Sequence, residues 1–370
     1  MKICFYNLTA GFKTGGLETY CWEVGRALAG QGHEVHILGG TGGAPRNDAV
    51  KLIALPYRSR DTFPNLGTRF RKLMERVSFA KAALPRLLAE NYDAVVVNKP
   101  YDFPALWWAR CAGMKAVTAV RSGGTEFYFG DRFFARAVDL WLSTSRYNAD
   151  QVEGRYGHSV VVIPNGVAPE LFQPALRSAV TRTALGVPAG VPLIVSTGRL
   201  VGWKGLHLIL RALPDLPGVH YLAIGDGEAR PGLETLAREQ GVADRVHFAG
   251  EVRHDRLPAM LASGDLFVQP SVGEEAFGIS VVEAMASGLP TLVSNQGGLR
   301  EIVLDGVTGA LLPVGDAVAW QAALRSHLAD LPRCRTQGEA ARTRVLENYT
   351  WAANAQRLAT LIAAVRHHRS

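Results

Sequence analysis

The sequence predicts an α/β protein made of two doubly wound parallel-sheet domains. Three observations carry this. At 370 residues the chain is too long for one ordinary core. Strand-like and helix-like stretches alternate through both halves, the pattern of a parallel sheet with helices on both faces. In each half a glycine-bearing loop follows the end of a strand, where open α/β sheets bind their ligands. Nearly half of the residues are apolar and a fifth are charged, a globular composition.

The first strand, Lys2–Tyr6, leads into Thr9-Ala-Gly-Phe-Lys-Thr-Gly-Gly-Leu-Glu18 and an amphipathic helix to about Gly32. No Gly-Lys-Ser/Thr follows, so the loop is not a P-loop, and the GxGxxG spacing of a dinucleotide site is absent. Further strands are expected at His33–Leu38, Lys51–Leu55, Ala94–Asn98, Lys115–Val120 and Leu140–Thr144. Helices fall between them, roughly Arg69–Glu90, Phe103–Ala112 and Asp131–Ala137, and Ser145 suits an N-cap. Arg121-Ser122-Gly123-Gly124-Thr125-Glu126 follows one strand end, where a ligand is expected.

In the second half a strand at Pro192–Ser196 runs into Thr197-Gly-Arg-Leu-Val-Gly-Trp-Lys-Gly205, then a helix over Leu206–Leu213. Arg199 and Lys204 stand five residues apart across this turn, so both can reach one diphosphate. Each charge-assisted bond of that kind contributes roughly 1.5–3 kcal/mol. Strands follow at Val219–Ile224 and Arg245–Phe248, with helices at Leu233–Gln240 and Leu257–Ala262. Asp226, between two glycines and with no Asp-x-Asp in the chain, reads as a turn residue and not as a metal ligand.

The stretch from Asp265 to Pro290 is the most informative. A buried strand, Asp265–Gln269, enters the loop Pro270–Ala276, and a helix opens near Phe277 and stops at Gly288 and Pro290. Glu275 sits in the loop and Glu283 eight residues on, about two turns into the helix. Gly278 allows close backbone approach, and the free N–H groups at the helix start, Phe277 to Ser280, suit a phosphate. An anion cradle between two carboxylates matches a nucleotide sugar, which presents a diphosphate, sugar hydroxyls and a ribose diol.

Glu275…Glu283 with Ala284-Met-Ala286, Gly288-Leu-Pro290 and Gly297-Gly298…Glu301 resembles the signature of the family 4 retaining glycosyltransferases of GT-B fold, of the type that assembles bacterial lipopolysaccharide and exopolysaccharide. The resemblance covers nearly the whole chain and is strongest from Ile163 to Pro313. It implies two Rossmann-like domains facing across a cleft: an acceptor-side domain at 1–168, a donor domain at 169–350 entered through Pro169–Pro174, and a returning helix in 351–370, about Trp351–Val365. His367-His368 reads as a frayed tail beyond it. Gly15, Gly16 and Glu18 resemble the family's first loop, whose glycines face the donor phosphates and the acceptor. The resemblance gives Arg199 and Lys204 to the leaving diphosphate, Glu275 to the sugar, Glu283 to the ribose and the loop around Val252 to the base. Ile279 belongs with Phe277, Gly278 and Ser280 at the donor phosphates, and Arg121, Ser122 and Gly123 with Glu18 on the acceptor side. Arg121 is a departure, since many relatives have histidine near that position.

Net charge is +7, of which residues 1–170 hold +6. Eight basic residues between Arg58 and Arg86 face only Asp61 and Glu75, which suggests a surface for anionic lipid or a phosphorylated acceptor; nucleic acid is not expected. The four cysteines make no metal or redox spacing. No apolar run reaches membrane-span length and the start has no signal-peptide pattern, so a cytoplasmic protein is expected, peripheral on the inner membrane face. The expected activity is metal- and cofactor-independent transfer of a hexose from a UDP-sugar, or GDP-mannose, to a lipid-linked or phosphorylated glycan. The alternatives are a GT-B nucleotide-sugar epimerase and a non-catalytic nucleotide-sugar-binding protein.

Overall fold

The structure, a computed structural model, describes residues 1–13, 15–42, 44–45 and 47–369. The chain forms two compact units: Met1–Asn165 joined by the C-terminal stretch from Trp351, and Gly166–Thr350.

The first unit contains β1 (Lys2–Tyr6), α1 (Gly16–Gly30), β2 (Glu34–Gly40), β3 (Lys51–Leu55), α2 (Thr68–Ala89), β4 (Ala94–Val97), α3 (Phe103–Cys111), β5 (Val117–Ser122), α4 (Asp131–Phe134), β6 (Leu140–Ser143), α5 (Arg146–Tyr156) and β7 (Val161–Val162). The strands lie in the order β3-β2-β1-β4-β5-β6-β7, all parallel. Every residue of β4 is buried, as helices on both faces require. Ser145 caps α5, its hydroxyl accepting from Asn148 N–H.

The second unit holds α6 (Ala179–Ala184), β8 (Leu193–Thr197), α7 (His207–Ala212), β9 (His220–Ile224), α8 (Arg230–Glu239), β10 (Val246–Gly250), α9 (Leu257–Ala262), β11 (Leu266–Gln269), α10 (Ile279–Ala286), β12 (Thr291–Ser294), α11 (Leu299–Ile302), β13 (Gly309–Leu312), α12 (Ala317–Leu328) and α13 (Leu331–Asn348). Its order is β10-β9-β8-β11-β12-β13, again all parallel. Strand residues alternate between two cores: Val195, Leu222, Phe267 and Val293 on one face, Ile194, Tyr221, Val268 and Leu292 on the other. In both sheets the order reverses beside the first strand, between β1 and β4 and between β8 and β11. That switch point is where a doubly wound sheet opens a crevice for a ligand.

Four features differ from the sequence reading. The last helix, α14 (Trp351–Arg369), continues through His367-His368 and is no frayed tail. Arg366 pairs with Asp93 at 2.7 Å and Arg369 with Asp139 at 2.9 Å, which ties the last turn down. Helix α10 starts at Ile279, two residues later than expected, because Gly278 has φ +126°. Pro169–Pro174 is no free linker, since Phe172 is buried in the second unit's core. Finally, residues 317–348, unassigned from sequence, form α12 and α13, capped by Asp316 and Asp330.

Helix α13 packs on α10 through Gly338, where an added Cβ would lie 2.0 Å from the Gly288 carbonyl oxygen. Gly338→Ala should therefore destabilise the protein by about 1–3 kcal/mol. Helix propensity alone predicts the opposite, a gain of up to about 1 kcal/mol. Urea unfolding of this variant separates the two.

Candidate active site

The second unit's switch point brings together the loops that follow β8 and β11. Lys204, in a 3₁₀ turn at Gly202–Lys204, donates from Nζ to Glu275 Oε1 at 2.5 Å, and their side chains are only 16% and 12% exposed. Glu275 Oε1 also accepts from Gln269 Nε2 and from Ser271 Oγ, each at 2.9 Å. Ser280 Oγ, at the start of α10, donates to Gln269 Oε1 at 2.7 Å. All three side-chain bonds to Glu275 thus converge on Oε1, and no described side chain donates to Oε2. Sequence reasoning singled out Lys204, Glu275 and Ser280 separately and missed Gln269 and Ser271, which join them. A polar residue closing the apolar run Leu-Phe-Val-Gln was the available signal for Gln269.

Backbone contacts fix the two loops against each other. Val272 N–H and Gly273 N–H both donate to the Trp203 carbonyl, at 2.8 and 3.1 Å. Gln296 Nε2 donates to the carbonyls of Ser271 at 2.5 Å and Gly273 at 2.8 Å. Gly205, at φ +70°, lies so close to the Pro270 carbonyl that a Cβ would stand 2.0 Å from it. Gly297, at φ +52°, is packed likewise on the Glu275 carbonyl, at 2.2 Å.

Arg199 contrasts with Lys204. It is exposed, and its guanidinium has no carboxylate partner among the described residues. Lys204 has three ammonium donors, of which Glu275 occupies one. Glu283 is buried on α10. The Phe277 ring packs in the core, 6.0 Å from Tyr349, so any ligand contact at that position falls to its backbone. The sequence reading gave Gly278 to ligand approach. Its φ of +126° favours glycine there as well, and a Cβ would press on Leu299 Cδ2 at 2.6 Å. Val281 and Val282 N–H both turn to the Gly278 carbonyl, which leaves Ile279 and Ser280 as the N–H groups ahead of the helical ladder. Val252, after β10, is partly buried against the core.

The first unit's switch point carries a different chemistry. Thr9 N–H donates to Asn7 Oδ1 at 3.1 Å, and Thr9 Oγ1 donates to Glu18 Oε1. Asn7 Nδ2 reaches Cys21 Sγ at 3.6 Å, and Cys21 donates to Asn98 Oδ1 at 3.2 Å. Gly15 precedes α1 in extended conformation and Gly16 opens it. Glu18 Oε2 lies 2.7 Å from where a Gly15 Cβ would be. The carboxylate therefore covers the positive end of α1 that a phosphate would otherwise use. Ser122 Oγ donates to the Gly124 carbonyl at 2.9 Å, and Gly123 leaves room for Leu17.

Arg121, placed on the acceptor side by resemblance, is completely buried. Its guanidinium lies 3.9 Å from the Tyr20 ring centroid and donates to Asn165 Oδ1. Burial pushes its pKa down to about 10, so it remains charged at neutral pH. Tyr20 in turn meets Trp351 edge-on. Arg121 thus ties together Asn165 and, through Tyr20, the start of α14.

The basic segment is smaller at the surface than its count suggests. Arg76 is buried and pairs with Asp102 at 3.1 Å. Arg71 pairs with Asp61, Lys72 with Glu126 and Arg86 with Glu90. Arg58, Arg60, Arg69 and Lys81 are exposed, and no described carboxylate pairs with them. Among the described residues no cluster of three or more His, Cys, Asp or Glu side chains could hold a metal, and no helix is long and apolar enough to cross a membrane.

Two family profiles divide the chain: Glycosyltransferase Family 4 matches residues 14–171, and Glycosyl transferases group 1 matches residues 179–344. A D-inositol 3-phosphate glycosyltransferase of Xylanimonas cellulosilytica is 33% identical over 363 residues, covering 85% of this chain and 84% of that one. The chain belongs to the family 4 glycosyltransferases. Another similar family member is a GDP-mannose-dependent α-(1-6)-phosphatidylinositol monomannoside mannosyltransferase of Mycolicibacterium smegmatis, 32% identical over 63% of this chain and 64% of its own. A lipopolysaccharide core biosynthesis glycosyltransferase, LpsE, of Rhizobium meliloti is 38% identical over 41% of this chain and 44% of its own. Among solved structures, a sucrose-phosphate synthase of Thermosynechococcus elongatus superposes with a TM-score of 0.85 at 23% identity, over 98% of both chains. Anabaena HepE in complex with UDP and glucose does so at 0.80 and 21%, over 98% of this chain and 99% of its own. The glycosyltransferase fold is therefore GT-B, with its two Rossmann-like domains.

Two stability tests follow from this geometry. Lys204→Met and Glu275→Gln together should destabilise the protein less than the sum of the two single changes, with a coupling of about 1–3 kcal/mol in a urea-melt cycle. Zero coupling would mean that the pair does not form in solution. Arg121→Ala should cost about 2–4 kcal/mol, as expected for removing a buried, bonded cation from its partners. A loss below 0.5 kcal/mol, on the scale of surface substitutions, would place the guanidinium outside the core.

Proposed function

We propose that the protein is a retaining, metal-independent hexosyltransferase. The donor would be a nucleotide sugar, a UDP-sugar in preference to GDP-mannose. The acceptor would be a lipid-linked or phosphorylated glycan of lipopolysaccharide or another cell-surface polysaccharide, met at the cytoplasmic membrane face. The observation that carries the reading is the site at the β8–β11 switch point, where Lys204 and Glu275 meet near the start of α10 and near Arg199, with which no described carboxylate pairs. The relatives support a nucleotide-sugar donor and a phosphorylated or lipid-linked acceptor: one is named for GDP-mannose and a phosphatidylinositol mannoside, another for inositol phosphate, a third for lipopolysaccharide core.

In this reading Arg199, the two open donors of Lys204 and the N–H groups of Ile279 and Ser280 take the diphosphate. They supply the positive charge that would otherwise fall to a metal. Glu275 Oε2 accepts from the sugar hydroxyls, Glu283 from the ribose, and the loop at Val252 meets the base. The bond from the anomeric carbon to the phosphate oxygen breaks, and the acceptor oxygen bonds that carbon on the same face. The acceptor's proton passes to the leaving phosphate. The first unit, through Glu18, Ser122 and Gly123, would be the acceptor side.

Thermal-shift titration with UDP, GDP and their sugar conjugates tests the donor site. A nucleotide at 100 times its dissociation constant should add roughly 2.7 kcal/mol of stability. Lys204→Ala and Glu275→Gln should lower kcat by about 10²–10³-fold in sugar transfer, with the fold kept by circular dichroism. The product should keep the donor's anomeric configuration by NMR, and EDTA should leave the rate unchanged. Normal turnover in either variant, or an inverted product, would overturn the assignment.

A further inference from the structure

A second basic cluster of the first unit lies away from its switch point. Helix α4 and the 3₁₀ turn after it, Ala135–Ala137, run into the amino end of β6, and the last turn of α5 runs into the amino end of β7. Between them is a cavity of about 330 Å³, whose walls include Arg132, Arg136, Gly154, Arg155, Gly157 and His158. It is at the opposite end of the sheet from the loop Ser122–Glu126. No acidic side chain lines it. Asp131, which holds Arg155 in the wall, is fully committed: Oδ1 accepts from Arg155 at 2.6 Å, and Oδ2 from the Tyr156 hydroxyl at 2.9 Å and Tyr128 N–H at 3.2 Å. Glu153, on α5, accepts from Arg146 and from Val160 N–H. Arg132 spends only Nε, on the Arg155 carbonyl at 2.9 Å, a bond that anchors its guanidinium at the wall. Among the described residues nothing accepts from its two terminal nitrogens or from Arg136, which lies 5.6 Å from the Phe133 ring centroid. His158 stacks on buried Trp141, with centroids 5.1 Å apart and planes 15° from parallel. Its face is thereby used, while its ring nitrogens have no described partner. A Cβ on Gly154 or Gly157 would meet nothing within 4 Å, so the space beside both glycines is open.

Guanidinium groups and an imidazole around a space without an available carboxylate match a compact, doubly charged anion. A phosphate monoester suits them best. Two of its terminal oxygens can take the planar fork of one arginine and the third remains for another cation, whereas a carboxylate has only enough oxygens for one fork. The volume is near the lower end of small-molecule sites, which favours a small ligand over a nucleotide sugar. We propose that this cavity is a binding site for a soluble phosphomonoester, held by Arg132 and Arg136 with His158 as a third donor. Because it opens at the amino ends of β6 and β7, its occupation is a binding event separate from the proposed sugar transfer and does not depend on that reading.

Inorganic phosphate is the probe, titrated at constant pH and ionic strength into protein with isotope-labelled histidine. The readout is the ring resonance of His158, assigned by its loss in His158→Gln. It should shift saturably, with a dissociation constant on the order of 1 mM, as a few charge-assisted bonds provide. Arg132→Gln and Arg136→Gln should each weaken binding about tenfold. Gly154→Glu sends a carboxylate into the open wall with no loss of helix propensity and should abolish binding. These three positions are exposed, so the variants should fold, which circular dichroism checks. Lys204→Met, in the other unit, should leave the His158 response unchanged. A shift that does not saturate, equal affinity in both arginine variants, or binding that survives Gly154→Glu would overturn the site. So would a response lost in Lys204→Met, which would trace it to the diphosphate crevice. Vesicles containing phosphatidate separate a lipid head group from a soluble ligand. The parent protein and Arg132→Gln should sediment with them equally, and a loss confined to the variant would overturn the soluble ligand. Nucleotide thermal shifts report the donor site separately, and their absence would sink the glycosyl-transfer reading while leaving the phosphate titration interpretable.

Discussion

The close approach of two backbones at the β8–β11 switch point is the constraint on which the candidate site depends. Parallel order reverses there, so the loops leaving these strands diverge to opposite faces of the sheet and a crevice opens between them. In this chain the crevice mouth is drawn tight. The Trp203 carbonyl takes two N–H donors from the facing loop, and Gly205 sits where any side chain would collide with Pro270. Only with the loops so placed can Lys204 and Glu275, 71 residues apart in sequence, meet at 2.5 Å. The ion pair follows from the backbone geometry and in turn neutralises two charges that are mostly out of water.

The same topology in the first unit holds a different set of groups. Between β1 and β4 there is a relay of neutral side chains, Asn7, Thr9, Cys21 and Asn98, with one carboxylate, Glu18, folded over the start of α1. A cation-lined crevice suits a leaving diphosphate, whereas a neutral crevice with a carboxylate acceptor suits hydroxyl groups. Two copies of one architecture have thus diverged in electrostatics while keeping their strand order, which is how a fold comes to host separate binding tasks.

Sequence and structure agree where the information is local. The strand at Leu266–Gln269 is an apolar run bounded by polar residues, and the loop with Arg199 and Lys204 is marked by glycines, of which Gly198 and Gly205 adopt positive φ. What escaped is what depends on neighbours. Gly278 invites a ligand-contact reading, yet Leu299, brought in by α11, already fills the space beside it. Arg121 stands at a strand end where sites gather, yet Tyr20 and Asn165 draw it inward. Helix α13 carries Pro332 in its first turn and Gly338 at its centre and reads as a poor helix. It forms because Asp330 caps it and Gly338 lets it lie against the Gly288 carbonyl.

Pairing, more than residue count, decides which charges are available to a ligand. The segment from Arg58 to Arg86 has eight cations in sequence, yet carboxylates from within it and from residues 90, 102 and 126 claim four of them. Arg76 is spent on the core, where Asp102 and burial hold it. The cations left over, Arg58, Arg60, Arg69 and Lys81, are exposed. In the second unit the division recurs at shorter range: Lys204 is matched by Glu275, and no described carboxylate pairs with Arg199. An exposed cation with no carboxylate partner adds little to folding and keeps its charge available to an anion. A paired one such as Lys204 is pre-positioned instead, with its side chain already ordered before any anion arrives, so less conformational entropy remains to be lost on binding. In the proposed reading the two kinds of cation would contribute differently, Arg199 by attraction and Lys204 by geometry.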